Sequence, residues 1–129
     1  MIALGTTFFT HPKSSTIPSH LHIIISDPSK CNYIVVVHVT SIHSQHEDKI
    51  DRTVFFHGGE HKNIYKPSFV YFKNALLLEV RKIQEALAAG IIHKSIPIAT
   101  SLLQHIIAGA VKSQHTPNNI KEFIQKHSH

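Results

Sequence analysis

The chain has 129 residues, 42% of them hydrophobic and 16% charged, which describes one folded domain with a real core and excludes a disordered segment. Thirteen Lys and Arg against eight Asp and Glu give a net charge of +5 with histidine neutral, compatible with a polyanionic partner such as RNA. A single cysteine, Cys31, excludes an intramolecular disulfide, and no apolar run approaches the ~20 residues of a membrane span. The N-terminal stretch MIALGTTFFTHPK lacks a basic region followed by an apolar one, so a cytoplasmic protein without a signal peptide is expected.

In chain order, HPKSSTIPS (11 to 19) reads as a loop, with its two prolines and small polar residues. HLHIIIS (20 to 26) and YIVVVHVTS (33 to 41) are β-branched runs separated by a turn-rich spacer, and together predict a hairpin. With Ser26 near Tyr33 or Ile34, His22 falls opposite His38 and His20 opposite Thr40. The odd positions Leu21, Ile23, Ile25, Val35, Val37 and Val39 are wholly apolar and form the core face. The even face ends in a polar cluster of His20, His22, His38 and Thr40, away from the turn.

Residues 41 to 51 read as a polar loop, RTVFFH (52 to 57) as a third strand ended by Gly58-Gly59, and SFVYF (68 to 72) as a fourth. Leu76, Val80, Ile83 and Leu87 follow helical spacing, with Gly90 as the stop. A second helix is predicted within SIPIATSLLQHIIAGAVKS, with Ser95 as N-cap and Pro97 in its first turn. Thr116-Pro117 opens a short last helix. The fold class is α+β: a small antiparallel sheet followed by C-terminal helices, in one domain spanning residues 1 to 129.

Three further groups invite a functional reading. Two imidazoles titrating near neutrality can divide the roles of base and acid, so His20, His22 and His38 with Thr40 suit attack on a phosphodiester; a half-exposed face with idle histidines is the plainer reading. His57, Glu60 and His61 around a glycine turn offer zinc-type ligands at no recognised spacing, or a loop beside a nucleic-acid groove. Lys66, Phe69, Tyr71, Phe72 and Lys73 interleave charge with aromatics, which suits either base stacking with phosphate contact or a strand with one buried side.

HLHIIIS followed by YIVVVHVTS resembles the MazF/PemK family of toxin–antitoxin ribonucleases, and weaker similarity runs from about residue 18 to 112. The resemblance implies a small SH3-like curled β-barrel with helices, usually dimeric, that cuts single-stranded RNA without metal or cofactor and is inhibited by an antitoxin protein. It places Ser26 at the serine ending the first motif and Thr40 at the catalytic threonine, with Ser41 beside it. The position of the family's arginine holds His20, an acid–base group in place of a permanent charge. The expected catalytic residues are therefore His20, Thr40, His22 and His38. Ser41, Lys66, Tyr71 and Lys73 are expected to contact RNA, with Glu60 and His61 nearby. The alternative is a non-catalytic RNA- or protein-binding module that has lost the arginine.

Overall fold

The computed structural model describes residues 1–10, 20–42 and 50–127. The loop expected at 11–19, most of the one at 41–51 and the final Ser-His lie outside the described residues. Those described form an α+β fold in the order β1 (Thr7–Phe9), β2 (Leu21–Ile24), β3 (Tyr33–Ser41), β4 (Phe55–Phe56), β5 (Ser68–Val70), β6 (Leu76–Glu79), α1 (Val80–Ala88), β7 (His93–Lys94), α2 (Thr100–Lys112) and α3 (Asn118–His127). None of these helices is long and apolar enough to cross a membrane.

The nine-residue β3 is the axis of the sheet. Its β-branched run pairs antiparallel with β2 in the register Leu21↔Val39, His22↔His38, Ile23↔Val37 and Ile24↔Val36, as the alternation predicts. Ser26 closes the turn end, its buried hydroxyl accepting the Val35 N–H at 2.8 Å. On the other side β3 meets two strands in succession: β5 along Val39–Ser41 and β6 along Tyr33–Val36. A single 3-10 turn at Phe72–Asn74 separates them.

The strand order is β4-β5-β3-β2-β1-β7, with β6 beside β3. This sheet is open, and the expected closed barrel is not formed. Closure requires the end strands to pair, and β4 and β7, two residues each, stand at opposite ends of the order.

Both faces of the hairpin are covered, but not equally. Odd-numbered Leu21, Ile23, Ile25, Val35, Val37 and Val39 pack with Phe56, Val70 and Phe72 beneath Ile106 and Ala110 of α2 and Ile120 and Ile124 of α3. Gly109 permits this approach, since any Cβ there would run into Val54. On the even face Ile24, Ile34 and Val36 pack with Ile2, Phe8, Ile92 and Ile83 of α1. Burying each such side chain contributes about 1.5–3 kcal/mol.

Several boundaries differ from the sequence reading, among them the fourth strand, which stops at Val70 because the chain turns into the 3-10 helix at Phe72. Leu76–Glu79 is strand, because hydrogen bonding to the exposed side of β3 outweighs the helical spacing of Leu76 and Val80. Helix α1 starts only at Val80 and ends where Gly90 (φ 74°) closes a Schellman turn, with Gly90 N–H to Leu87 O at 3.1 Å and Ile91 N–H to Ala86 O at 2.9 Å. Ser95 is not an N-cap: its N–H donates to Thr7 O and that of Ile98 to Gly5 O, which holds 95–98 extended until α2 begins at Thr100 with Ala99 as N-cap. The third strand shrinks to Phe55–Phe56, since Asp51 turns the chain by accepting from the Thr53 N–H and hydroxyl. The first and last strands along the chain, β1 and β7, carry no recognisable period in the sequence.

Candidate functional site

The even positions at the open end of the hairpin are brought together by the β2–β3 register. The imidazoles of His20 and His38 lie 4.8 Å apart between centroids, and those of His22 and His38 5.7 Å. Phe8, opposite His22 on β1, stacks on it at 5.1 Å and 9°. On the other flank Tyr71 meets His38 edge-on at 5.7 Å and Phe69 at 5.8 Å, while its N–H donates to His38 O. The rings of Phe8, His22, His38, Tyr71 and Phe69 thus form one strip crossing the strands, with His20 over its middle.

Hydrogen bonding and burial set the state of these imidazoles. His22 Nδ1 lies 3.0 Å from His20 O; a carbonyl can only accept, so Nδ1 carries a proton. Burial, with some help from the charge of His20, pushes the His22 pKa below its ordinary value. His38 is pushed to about 4, chiefly by burial and then by His20 and His22. At neutral pH His38 is therefore an uncharged imidazole, free to accept a proton although a weaker base than an exposed imidazole.

Around the end of the strands, adjoining this strip, a cleft of about 430 Å³ is lined by His20, Thr40, Ser41, Asn63, Lys66 and Ser68, with Phe9, Leu21, Val39 and Tyr65 as its apolar walls. Among the described residues no carboxylate lines it, and Lys66, exposed and 5.8 Å from the Tyr65 ring, gives it a permanent positive charge. Hydroxyls, an amide, an ammonium and an imidazole with no acid among them form a donor-rich hollow for an anion such as a phosphate.

His20 belongs to both surfaces. The structure therefore brings together His20, Thr40, Ser41 and Lys66 in the cleft, and His22, His38 and Tyr71 beside it. Lys73 stands apart, exposed in the 3-10 turn beyond Tyr71. Glu60 and His61 also lie outside the cleft lining, Glu60 because the glycine turn uses it and His61 because it is spent on the Ile96 carbonyl and the Asn63 N–H. Glu60 accepts the N–H groups of His57 and Gly58 at 2.7 and 2.8 Å. His61 is buried, its Nε2 donating to Ile96 O at 2.5 Å and its Nδ1 accepting the Asn63 N–H at 3.0 Å. Among the described residues no three His, Cys, Asp or Glu side chains are placed to hold one metal ion.

Phe8, Asn63, Tyr65 and Ser68 join the site without having been expected there. Phe8 could have been found from the apolar pair Phe8-Phe9 had β1 been recognised. Asn63 and Tyr65 sit in a loop whose approach to the hairpin leaves no local pattern.

Comparison with models of protein families finds no match, and comparison with curated proteins finds none either. What the site does rests on its own chemistry.

Proposed function

We propose that the protein binds single-stranded RNA across the open end of the β2–β3 hairpin and cleaves it without a metal ion, as its resemblance to the MazF/PemK ribonucleases implies. The observation that carries this reading is the junction of two unlike surfaces at His20. A strip of flat rings suits unpaired bases, and a cleft of hydroxyls and Lys66 with no carboxylate among its described lining suits the phosphate between them.

The chemistry follows from the state of each group. Neutral His38 takes the proton from a ribose 2′-hydroxyl as its oxygen attacks phosphorus. Exposed His20, at the lip of the cleft, delivers a proton to the departing 5′-oxygen as the P–O5′ bond breaks. The products are a 2′,3′-cyclic phosphate and a free 5′-hydroxyl. Thr40 donates to a non-bridging oxygen, and Lys66 supplies the permanent charge that the resemblance assigns to an arginine at the position of His20.

A second reading, a binding module without turnover, is favoured by one observation: His22 and His38 are both half-buried in the ring strip, and His22 spends Nδ1 on the His20 carbonyl. One experiment separates the two: incubation of single-stranded RNA in EDTA with the wild type, His20→Ala and Thr40→Ala, read for cyclic-phosphate ends and for binding. Cleavage lost in His20→Ala supports the enzyme. Tight binding with no cleavage by any form supports the module, and no binding at all rejects both.

A further inference from the structure

Asn63, a loop residue at the cleft, is held by both its backbone and its side chain. Its N–H donates to His61 Nδ1 at 3.0 Å, and its Oδ1 accepts the Ser95 hydroxyl at 2.5 Å. Both anchors lead to one extended segment. His61 Nε2 donates to Ile96 O, which also accepts the hydroxyl of buried Thr7 at 2.7 Å. The Ser95 N–H in turn donates to Thr7 O at 2.9 Å. Asn63 is thus tied to β1 through residues that do not line the cleft themselves.

This tether decides what Asn63 offers. A side-chain amide carries an acceptor oxygen and a donor NH2, and a free one presents either. Here Oδ1 is turned to Ser95, outside the cleft lining, so Nδ2 is the polar atom left for the cleft. Among the described residues Nδ2 has no partner, and it is not among the side-chain atoms shut from water without one. Asn63 therefore shows the cleft donors alone, in an orientation fixed before any ligand arrives.

Its place separates it from the phosphate end. The lining crosses the sheet from Ser68 on β5, through Ser41 on β3 and Leu21 on β2, to Phe9 on β1. Ser41 pairs with Ser68, and the Ile42 N–H donates to Pro67 O, which sets Lys66 beside those hydroxyls. Asn63, tied to Thr7, stands at the Phe9 end, where the Tyr65 ring, 77% exposed, offers a second apolar surface. One end suits a phosphate and the other a flat base whose edge meets Nδ2.

Base edges differ in their answer to such a donor. Asparagine ordinarily pairs with adenine through both its atoms, Oδ1 accepting from the 6-amino group and Nδ2 donating to N7. With Oδ1 spent on Ser95, the amino group of adenine meets another donor instead. Guanine presents O6 and N7, two acceptors side by side, to the two protons of Nδ2.

We infer that Asn63, locked by Ser95, selects guanine over adenine at the base next to the bound phosphate. The inference rests on the RNA reading, though on binding alone and not on cleavage.

Fluorescence-anisotropy titration with two RNA octamers, all inosine and all adenosine, tests it. They present a 6-carbonyl and a 6-amino group respectively, and a homopolymer sets the same base in the cleft in every register. The wild type is expected to bind the inosine octamer about tenfold more tightly. Asn63→Asp keeps an acceptor for Ser95 and exchanges the NH2 for a second oxygen. Its charge weakens both octamers, while their ratio inverts in favour of adenosine. Asn63→Ala brings the ratio close to one. Ser95→Ala leaves Asn63 in place but frees its amide to turn, and lowers the ratio severalfold; a merely structural role would weaken both octamers alike. Circular dichroism and melting curves confirm that each variant is folded. Equal binding of the two octamers by the wild type overturns the inference and leaves the RNA reading standing, as does a ratio that Asn63→Asp does not change. Binding of neither octamer overturns both.

Discussion

The even face of the β2–β3 hairpin carries two environments on the same two strands. Toward the turn, Ile24, Ile34 and Val36 lie under Ile83 of α1, Ile2 and Ile92 and are fully shut from water. Two residues further along the same pleat, His22 and His38 are half-exposed, and His20 is open to solvent. Phe8 is the border, buried with the isoleucines and stacked on His22. Strand periodicity assigns a side chain to a face, but what covers the face decides whether it is core or site. Here the cover ends with α1, and the imidazoles begin where it stops.

The sharpest test of this division is to remove one side chain from each half. In the open half, His38→Ala and His20→Ala should each lower RNA cleavage by about 10²–10⁴-fold, the usual worth of a positioned acid or base, while thermal stability changes little. Ribonuclease rates and melting curves on the same preparations check both parts. In the sealed half, Ile34→Ala should cost about 2–5 kcal/mol of stability by opening a cavity, as measured by denaturant unfolding, with cleavage unchanged among the molecules that remain folded. A large stability loss in His38→Ala, or a lost activity in folded Ile34→Ala, would erase the distinction.

A smaller effect is expected at the flank of the ring strip. Tyr71→Ala should weaken single-stranded RNA binding by about 1–3 kcal/mol in a filter or fluorescence titration, because it removes one stacking surface. Lys73→Ala, outside the cleft, should leave a far weaker mark on the same titration.

Acidity should distinguish the halves as well. His38 titrates near 4 in the folded chain against 6.5 in the unfolded one, chiefly through burial. The unfolded state therefore takes up this proton first as the pH falls, and stability decreases from about pH 6.5 toward 4 and levels off below. His22 is shifted in the same direction and adds to the slope. Melting temperatures across this window should fall less steeply in His38→Gln than in the wild type, whereas Ile34→Ala should keep the wild-type slope. Parallel slopes for all three would remove the open half as the source.

How much of this was legible in the sequence depends on where the deciding contact lies. The hairpin register was legible because only one alternation buries six apolar side chains, and His22 opposite His38 followed from it. Leu76–Glu79 was not, since Leu-Leu-Leu-Glu-Val fits a helix as well as a strand and its partner Tyr33–Val36 lies some forty residues away. Ser95 misled for the same reason: a good N-cap residue was claimed by the backbone of Thr7, on a strand with no visible period. Within the site, Thr40 was placed by the strand that carries it and His20 by standing just before β2. Glu60 and His61 were not, because the glycine turn takes the carboxylate for its own N–H groups and the distant Ile96 carbonyl takes the imidazole.

The hydroxyl of Ser26 has a reach beyond the turn it closes. It caps the Val35 N–H in the dry interior, where an amide left without an acceptor costs about 1–3 kcal/mol. Sliding β2 along β3 by two residues would keep every apolar side chain on its proper side, so hydrophobicity alone does not forbid it. It would withdraw that cap, and it would set His22 against Thr40 instead of His38. Ser26 thus works as a ruler: one oxygen, four residues downstream of His22, gauges which imidazole meets which.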